Sequence, residues 1–600
     1  MLRPTSTVWT VIAAVALLVI GAIGACKAGL VGADFMYDLE MSRPALAEVP
    51  PVIATEGLPP RAARRVVIVI IDGLRLKSSY GLPYLDELRR AGIDSHATSH
   101  YPTFSRPNYV TIVTGVPPIE SGVRTNMHGA AVALDALMDR TRAAGMASGF
   151  ASDYDALPRL FLRPEAERAA AEARAGELGR DDMLDAHERK VDLSEEAARK
   201  QLDAPMVGAF DDARYSPWPG GFVDAARGLI ASREELAVLL IGVVDAAGHE
   251  HGGASAEYAE AAQVADRALA RALAGIDLAQ DAVIVVADHG HTDRGGHGGL
   301  EPEVVEVPLI IVGAGVVPGA DVHDARLADV APTAAALLGL PAPGHGLGRT
   351  LTEALQLTDG ERGAIAGNDA ARLARNRQIV ATAEVRASAD QLENRALRGS
   401  LVIALALVAF AGMWWLRHMG GLRLDWRVLL GGVPGFFIVY YTLIGVIGQR
   451  FSPSLLPARG HLAAELAKYA VIGTIVHVVT GLRVLRQRTS LAERLAAANG
   501  VAWLGLFLAA TAAGVSWVYW PPPYTEVPGP ATMVLIPAIE VAVASYGIAI
   551  ALGLLIEVIV FAARLSDPEA RAERLEKTAA KVREKARRRT QSIPPMRVDG

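Results

Sequence analysis

The sequence has few cysteines and few charged residues for its length. Only one cysteine, Cys26, occurs in 600 residues, which excludes an internal disulfide framework and any cysteine-rich zinc module. Charged residues make up 21% of the chain and the net charge is −6, so no binding to nucleic acid is expected. Because 51% of the residues are hydrophobic, disorder over most of the chain is also excluded. Any metal ion must be held by His, Asp and Glu side chains.

Long apolar runs are present, and they are unevenly distributed. The first, residues 8–25, is close to the roughly 20 residues that span a bilayer. A long region of ordinary globular composition follows it. Five further apolar runs lie near the end of the chain: residues 401–416, 428–447, 469–482, 500–520 and 531–563. This pattern predicts one N-terminal span, a large polar domain and a bundle of about five helices.

The same pattern divides the chain into regions with definite predicted limits. They are an N-terminal transmembrane anchor (1–33), a linker (34–63), the polar domain (64–357) with a helical insertion at about 130–204, a connector (358–396), the membrane bundle (397–563) and a basic tail (564–600). Within the polar domain, residues 325–338 read as an amphipathic closing helix.

Positive charge predicts the orientation of these spans. Arginines gather in the loops at 417–427 and 483–494, and the tail after residue 563 has eleven Lys/Arg against six Asp/Glu. Lys and Arg accumulate on the cytoplasmic side of membranes. Both termini are therefore predicted to be cytoplasmic, with the polar domain in the periplasm and the spans in a bacterial inner membrane.

Two features of the apolar runs leave alternatives open. Ile-Gly-Ala-Cys at 23–26 resembles a lipoprotein cleavage site with Cys26 lipidated, whereas renewed apolar character at 28–33 favours an uncleaved anchor. Both interpretations place the polar domain outside the cytoplasm. His477, Glu540 and Glu557 lie within predicted spans, where an ionisable group is either functional or close to a helix end.

Four apolar runs in the polar domain predict buried strands. They are residues 66–71, 236–244, 283–287 and 307–313. Continuous apolar strands separated by helical stretches indicate an α/β fold, with a mainly parallel sheet and helices on both faces. Three of the strands deliver an acidic residue at their carboxyl ends: Asp72, Asp245 and Asp288. Ligand sites in such sheets lie at that edge, although each carboxylate alone could cap a helix.

Histidines follow the same strand ends. The groups are His249 and His251 after Asp245, and His289, His291, Asp293 and His297 after Asp288. Oxygen and imidazole ligands together suit zinc, and also manganese. The number of these candidate ligands exceeds the four that one tetrahedral ion needs, so we expect two divalent ions. His251 and His291 are extra histidines that we do not expect to bind a metal, His96 and His100 are expected to be ordinary loop residues, and Asp293 is expected to form a turn.

The segment Tyr-Pro-Thr-Phe-Ser-Arg-Pro-Asn-Tyr at 101–109 adds a hydroxyl group. Ser105, coordinated to a dication, would lose its proton more readily and become a nucleophile. Thr103 is the alternative nucleophile in the same segment. Asn108 could donate its amide to a phosphoryl oxygen.

In this order, the motifs resemble the alkaline phosphatase superfamily, in its type I phosphodiesterase and nucleotide pyrophosphatase branch. The resemblance covers residues 66 to about 351 and rests on Ile-Asp72-Gly, Tyr-Pro-Thr-x-Ser105-x-Pro-Asn108, Asp245-x-x-Gly-His249, Ala-Asp288-His289-Gly and Gly-His297-Gly, followed by Asp-Val-Ala-Pro-Thr at 329–333.

The resemblance implies an alkaline-phosphatase-like fold with two metal ions. One ion would be held by Asp72, Ser105, Asp288 and His289, and the other by Asp245, His249 and His297. Ser105 would be the nucleophile, at a position where many members of the branch carry threonine, and Asn108 would bind the phosphoryl group.

Two other branches of the superfamily fit less well. Sulfatases need an arginine where this chain has Tyr109, in Ser105-Arg-Pro-Asn-Tyr. Phosphoglycerate mutases that need no cofactor share the metal chemistry but are soluble, which disagrees with the predicted spans.

The layout of one span, an outer domain and a helical bundle resembles the GPI ethanolamine phosphate transferases. Those enzymes move phosphoethanolamine from phosphatidylethanolamine to a glycolipid hydroxyl. The resemblance implies a membrane phosphotransferase that works through a phospho-serine intermediate, with membrane lipids and a phosphodiester such as phosphatidylethanolamine as partners. A membrane-tethered phosphodiesterase or pyrophosphatase that uses water is the alternative, and a non-catalytic relative is a third possibility.

Overall fold

The computed structural model describes most of the polar domain and pieces of the predicted membrane part. The described residues are 8–17, 19–20, 44–154, 156–161, 210, 212–215, 220–232, 234–424, 433–442, 452–455, 468–469, 471–473, 475–476, 490–519 and 575–584, with a few single residues elsewhere. Cys26, His477, Glu540 and Glu557 lie outside the described residues, as do residues 162–209 of the predicted insertion.

The described residues form a single large sheet and a series of helices. The strands are β1 (Arg65–Ile71), β2 (Ile93–Thr98), β3 (Ser148–Ser152), β4 (Asp212–Tyr215), β5 (Leu236–Ile241), β6 (Asp281–Val286), β7 (Glu306–Gly313) and β8 (Ala325–Arg326). The α-helices are α1 (Val8–Leu17), α2 (Leu76–Ser79), α3 (Pro83–Ala91), α4 (Ser105–Thr114), α5 (Pro118–Ser121), α6 (Leu137–Ala143), α7 (Ala156–Leu160), α8 (Gly220–Ser232), α9 (Val243–His251), α10 (Ala256–Ala272), α11 (Pro302–Val305), α12 (Val330–Leu337), α13 (Asp359–Leu392), α14 (Arg395–His418), α15 (Val433–Thr442) and α16 (Leu491–Tyr519). Short 3-10 helices occur at Ala45–Glu48, Leu327–Asp329, Thr352–Ala354 and Pro453–Leu455.

The eight strands follow the order β4-β3-β5-β1-β6-β7-β2-β8. β1 lies between β5 and β6 and pairs with both in parallel. β7 is antiparallel to β6 and to β2. The chain returns from β6 to β7 through the loop at 287–301 and the short helix α11, at the same end of the sheet, so β7 runs in the opposite direction. The predicted α/β fold is thus confirmed as a mixed sheet with a parallel central part.

The four predicted strands are present, with shifted limits. Every residue of β1, β5 and β6 is buried, as expected for strands covered on both faces. β5 ends at Ile241 rather than at 244, because α9 begins at Val243. Asp245 therefore lies in the first turn of a helix.

Four strands were not predicted: β2, β3 and β4, and β8 within the predicted closing helix. β2 alternates buried and exposed residues, the pattern of a strand with one covered face. β3 lies inside the region predicted as surface helices, where its composition, Ser-Gly-Phe-Ala-Ser, carries little strand propensity. β4 pairs with β3 and forms the sheet edge. Burial against neighbouring elements, rather than local propensity, decides these segments.

The closing helix predicted at 325–338 is wrong in its extent and character. This segment forms β8, a 3-10 turn at Leu327–Asp329 and the shorter helix α12. All eight residues of α12 are buried, so the helix has no exposed polar face. Asp329 ends the turn by accepting hydrogen bonds from the backbone N–H groups of Arg326 and Arg349.

The domain continues into long helices. α13 begins with a capping box between Thr358 and Glu361 and covers most of the predicted connector. α14 has 24 residues, or about 36 Å at 1.5 Å per residue. Its apolar side chains are exposed, with Leu405 68% exposed. Within the described part of the chain, the continuous helical stretch Asp359–His418 is the one long and apolar enough to cross a membrane.

The N-terminal helix α1 packs against the ends of two helices of the predicted bundle. The rings of Trp9 and Trp415 meet edge to face with centroids 4.8 Å apart. Asn499 Nδ2 donates to Thr10 O at 2.8 Å, and Trp503 Nε1 donates to Ala13 O at 3.1 Å. α1 therefore lies beside the end of α14 and the beginning of α16.

Candidate active site

The three predicted carboxylates lie together at one edge of the sheet. Asp72 follows β1, Asp245 lies in the first turn of α9 after β5, and Asp288 follows β6. These strands are adjacent and parallel, so their carboxyl ends converge. Gly73 allows the close approach: its φ is +73°, and a Cβ there would lie 2.8 Å from Asp245 Cα.

A first group of metal-ligand type consists of Asp72, Asp288 and His289, which offer ligand atoms within 4.8 Å of one another. His289 Nδ1 lies 3.0 Å from Gly290 O, so Nδ1 carries the proton and Nε2 presents its lone pair. That Nε2 lies 3.3 Å from Asp72 Oδ1, 3.2 Å from Asp288 Oδ2 and 3.1 Å from Ser105 Oγ. Four atoms with lone pairs thus face one centre.

The two inner carboxylate oxygens fit a cation at that centre. Asp72 Oδ1 and Asp288 Oδ2 are buried, and neither accepts a hydrogen bond from the described residues. The outer oxygens are held instead: Tyr109 Oη donates to Asp72 Oδ2, and Gly73 N donates to Asp288 Oδ1 at 3.2 Å. Buried carboxylate oxygens without donors are costly unless a charge compensates them, so a divalent ion fits here.

A second group consists of Asp245, His249 and His297, again within 4.8 Å. His297 Nε2 lies 3.1 Å from His249 Nε2, and His249 Nε2 lies 3.4 Å from Asp245 Oδ2. Asp245 and His249 are four residues apart on α9 and share one helix face. His297 Nδ1 faces Thr103 O at 2.8 Å, which leaves Nε2 unprotonated and directed at the group.

His291, which the sequence analysis did not expect to bind a metal, lies inside the site and forms a further group of possible ligands with Asp245 and His289. It is fully buried, and its Nε2 lies 2.8 Å from Asp245 Oδ1. Gly296 N donates to His291 Nδ1 at 3.2 Å, so Nε2 carries the proton and donates to the carboxylate. His291 therefore orients Asp245. The spacing alone could not distinguish this role from that of His251, which lies beside Glu250 at the surface.

Ser105 and Thr103 have different surroundings. Ser105 is the first residue of α4, and its Oγ faces His289. Thr103 Oγ1 donates to Gly299 O at 2.8 Å and accepts from Gly298 N at 2.9 Å. The Thr103 hydroxyl is thus engaged in holding a loop, and the geometry favours Ser105 as the nucleophile.

Asn108 is turned towards the backbone. Its Nδ2 lies within hydrogen-bond distance of the carbonyl oxygens of His100, Pro102 and Phe104, and its Oδ1 accepts from His100 N. The side chain therefore fixes the loop before α4. The phosphoryl contact predicted for Asn108 is not apparent in this geometry, because its amide hydrogens point at carbonyl groups.

The amide side chain of Asn126 approaches Ser105. Its Nδ2 lies 3.5 Å from Ser105 Oγ, and its Oδ1 accepts from Arg106 N at 3.0 Å. The sequence analysis missed it because it lies 21 residues after Ser105 in an irregular segment without a motif. Only the fold reveals their proximity.

The electrostatics also suit cation binding. Burial raises the pKa of Asp72 and of Asp288, and the charge of nearby carboxylates raises the pKa of Asp72 further. Burial would raise the pKa of Asp245 as well, but hydrogen bonds from His249 and His291 hold it well below its usual range. Burial lowers the pKa of His289 and of His297, which keeps both imidazoles neutral and able to bind a metal.

Two family models match the domain that contains these groups. Residues 66–142 match the type I phosphodiesterase / nucleotide pyrophosphatase model, and residues 221–342 match the metalloenzyme superfamily model. The domain is similar to metalloenzymes of the alkaline phosphatase superfamily. The resemblance predicted from the motifs is thereby confirmed.

Curated relatives match parts of the chain. GPI ethanolamine phosphate transferase 1 of Mus musculus is 25% identical over 357 residues, which cover 52% of this chain and 35% of that protein. A 2,3-bisphosphoglycerate-independent phosphoglycerate mutase of Roseobacter denitrificans is 38% identical over 97 residues, 15% of this chain and 19% of the mutase. In these matches the chain spans between 19% and 35% of the length of its relatives.

Solved structures align with the chain at low similarity. The lipoteichoic acid synthase LtaP from Listeria monocytogenes has a TM-score of 0.34 at 12% identity, covering 56% of this chain and 96% of that one. Murine ectonucleotide pyrophosphatase / phosphodiesterase 5 has a TM-score of 0.34 at 14% identity, covering 46% of this chain and 96% of that one.

Proposed function

We propose that the protein is a membrane-bound, two-metal phosphotransferase that acts on phosphodiesters at the outer surface of the membrane. It moves a phosphoethanolamine-type group from a phospholipid, such as phosphatidylethanolamine, to a lipid or glycan acceptor. The observation that carries this proposal is the position of Ser105 Oγ, 3.1 Å from His289 Nε2, at a site where two Asp/His groups converge.

The donor set fits two divalent cations, and we propose zinc, with manganese as the alternative. Asp72, Ser105, Asp288 and His289 would hold one, and Asp245, His249 and His297 the other. When bound, such ions lower the pKa of a coordinated hydroxyl and neutralise charge on phosphoryl oxygens.

The side chains of the site support two successive displacements at phosphorus. Ser105 Oγ bonds to phosphorus while the bond from phosphorus to the diacylglycerol oxygen breaks, and that oxygen takes the proton that the Ser105 hydroxyl loses. The acceptor hydroxyl then attacks the phospho-serine, the bond from phosphorus to Oγ breaks, and Ser105 recovers a proton from the acceptor. Asn126 Nδ2, 3.5 Å from Ser105 Oγ, would donate to a phosphoryl oxygen during both steps.

Two observations support a lipid substrate: the exposed apolar helix α14 and the share of the chain that matches the ethanolamine phosphate transferase. α14 follows α13, the helix that leads out of the domain, and exposes apolar side chains along its length. The match to the ethanolamine phosphate transferase covers 52% of the chain, against 15% for the mutase from Roseobacter. A donor that resides in a bilayer requires a site held near its surface.

The contacts of α1 support the proposed topology. Residues 8–17 pack beside the end of α14 and the beginning of α16, which flank the arginine-rich loops. The N-terminus and those loops would then share the cytoplasmic side. The domain would face the periplasm of a bacterial inner membrane.

The second candidate function is a membrane-tethered phosphodiesterase or pyrophosphatase with water as the acceptor. The match of residues 66–142 to the type I phosphodiesterase model favours it, since that segment contains Asp72 and Ser105. Transfer and hydrolysis share the first step and differ in the oxygen that completes the second.

One experiment separates these functions. Purified full-length protein is incubated with vesicles of phosphatidylethanolamine, labelled in the ethanolamine headgroup, and total bacterial lipid. Label on a second lipid supports transfer, whereas label only in free phosphoethanolamine supports hydrolysis. Failure to release or move any label would contradict both. Ser105→Ala should lower either activity at least about a thousandfold, and a phosphorylated Thr103 in trapped enzyme would contradict the assigned nucleophile.

A further inference from the structure

A short segment of the predicted membrane part lies against the edge of the candidate active site. Residues 452–455, which include the 3-10 turn Pro453–Leu455, fall between the predicted spans at 428–447 and 469–482. Ser452 and Ser454 are both buried, with Ser454 only 1% exposed. The segment is on the outer side in the predicted topology, the side of the domain that it contacts.

The hydroxyl of Ser454 joins two points of the loop after His297. Gly299 N donates to Ser454 Oγ at 3.0 Å, and Ser454 Oγ donates to Glu301 Oε2 at 2.7 Å. Ser454 N in turn donates to Ser452 Oγ at 3.2 Å. The hydroxyl thus serves as acceptor and donor at once, so its orientation is determined.

The segment at 452–455 also lies very close to Gly299. A Cβ on Gly299 would collide with Ser452 Oγ and with Glu301 Oε2. Only a residue without a side chain allows the two segments to approach this far. The segment therefore packs on the backbone of the loop, whose position it constrains directly.

The same loop leads to a proposed metal ligand and to the nucleophile. Gly299 O accepts from Thr103 Oγ1 at 2.8 Å, and the Thr103 carbonyl faces His297 Nδ1 at 2.8 Å. Ser105 follows Thr103 by two residues and begins α4. A continuous series of hydrogen bonds and backbone connects Ser454, Gly299, Thr103 and His297.

We propose that Ser454 is a positioning residue through which the membrane part holds His297 in its ligating orientation. The loop at 297–301 has its correct shape when Ser454 accepts from Gly299, and Thr103 transmits that shape to the imidazole. The site is then complete only while the membrane part is seated on the domain. This inference rests on the metal role of His297 in the proposed function.

Amide hydrogen exchange on the full-length protein in lipid nanodiscs tests the contact itself. In Ser454→Ala the N–H of Gly299 loses its acceptor, so exchange in a peptide covering 298–301 should be about tenfold faster, with or without metal. Ser400→Ala is the matched control, because among the described residues the Ser400 hydroxyl donates to Ala396 O of its own helix. Ser400→Ala should leave the rate of exchange in that peptide unchanged.

The release of zinc to a chelator tests the consequence for the site. Ser454→Ala should release one equivalent about tenfold faster than the wild type, the size of effect seen when support behind a ligand is removed. With a small soluble phosphodiester, kcat should fall while KM changes little. Glu301→Gln keeps an acceptor for the Ser454 hydroxyl, so its zinc release should stay near that of the wild type. Glu301→Ala removes the acceptor, so its zinc release should become faster, as in Ser454→Ala.

The outcomes are distinguishable. Unchanged exchange at 298–301 and unchanged zinc release in Ser454→Ala would overturn the positioning role. Faster exchange across the whole domain, without a local excess, would also overturn it, because the contact would then be general docking. A wild-type protein without activity on phosphodiesters would count against the proposed function and leave the exchange result to decide the contact.

Discussion

Individual side chains at the site are divided between atoms that face the common centre and atoms that fix those in place. Tyr109 holds one oxygen of Asp72, the N–H of Gly73 holds one oxygen of Asp288, and His291 holds one oxygen of Asp245. Each carboxylate thereby keeps a second oxygen that can bind a metal ion. Supporting groups of this kind tune ligand basicity and geometry, so their loss should weaken metal binding without removing a ligand.

Outside the site, His100 offers a test of pH dependence. Burial lowers its pKa to about 4, and the positive charge of Arg326 contributes. Between the ordinary value of about 6.5 and this value, the unfolded chain binds the proton more readily, so the free energy of unfolding decreases as the pH falls through that interval. His100→Gln removes this contribution, and its melting temperature should fall less than that of the wild type between about pH 7 and about pH 5.

The control for this measurement is His323→Gln, which changes a histidine whose side chain is 75% exposed. It should follow the wild type at both pH values. In His100→Gln the glutamine carbonyl can still accept from Ala328 N, the partner of the His100 ring. An equal loss of melting temperature in His100→Gln and in the wild type would show that this burial has no thermodynamic effect.

At the scale of the elements, the turn after β1 decides how closely the strand ends approach. Gly73 and Gly81 both have positive φ, at +73° and +78°, so alanine strains the backbone at either position by about 1 kcal/mol. A Cβ on Gly73 would also lie 3.0 Å from His291 Nε2, whereas nothing lies within 4 Å of one on Gly81. Gly73→Ala should therefore displace Asp245 and lower activity about a hundredfold or more.

Gly81→Ala should lose a similar amount of stability and keep its activity and metal content. Kinetics, metal analysis and thermal unfolding of the two variants make the comparison. Equal activity in both would mean that the approach of Asp72 to Asp245 is unimportant for the reaction.

Metal removal acts on the same set of elements. The three carboxylates among the proposed ligands follow β1, β5 and β6, and without cations these buried carboxylates repel one another. Exhaustive chelation should release two ions per chain, abolish activity and lower the melting temperature by roughly 5 °C or more, and zinc should restore all three. Elemental analysis showing fewer than two ions per chain would contradict the paired site.

At the scale of the whole molecule, the sequence was informative wherever apolar pattern and chemistry coincide. The strands that lead to Asp72, Asp245 and Asp288 could be predicted because a continuous apolar run precedes each carboxylate. β3 and the buried helix α12 could not, because burial of their small residues depends on distant neighbours. The positions of Asn126, His291 and Ser454 at the site could not be predicted either, since each depends on a contact between residues far apart in the sequence.

The topology of the whole chain has a direct test. With both termini in the cytoplasm, a protease added to intact spheroplasts should cleave the domain at 64–357 and leave an epitope at the C-terminus protected until the membrane is opened. The arginine-rich loops and the contacts of α1 with Trp415 and Asn499 beside them are the physical basis for this expectation. A domain that resists protease in spheroplasts and is cleaved in inverted vesicles would reverse the orientation and remove the case for an outer-surface substrate.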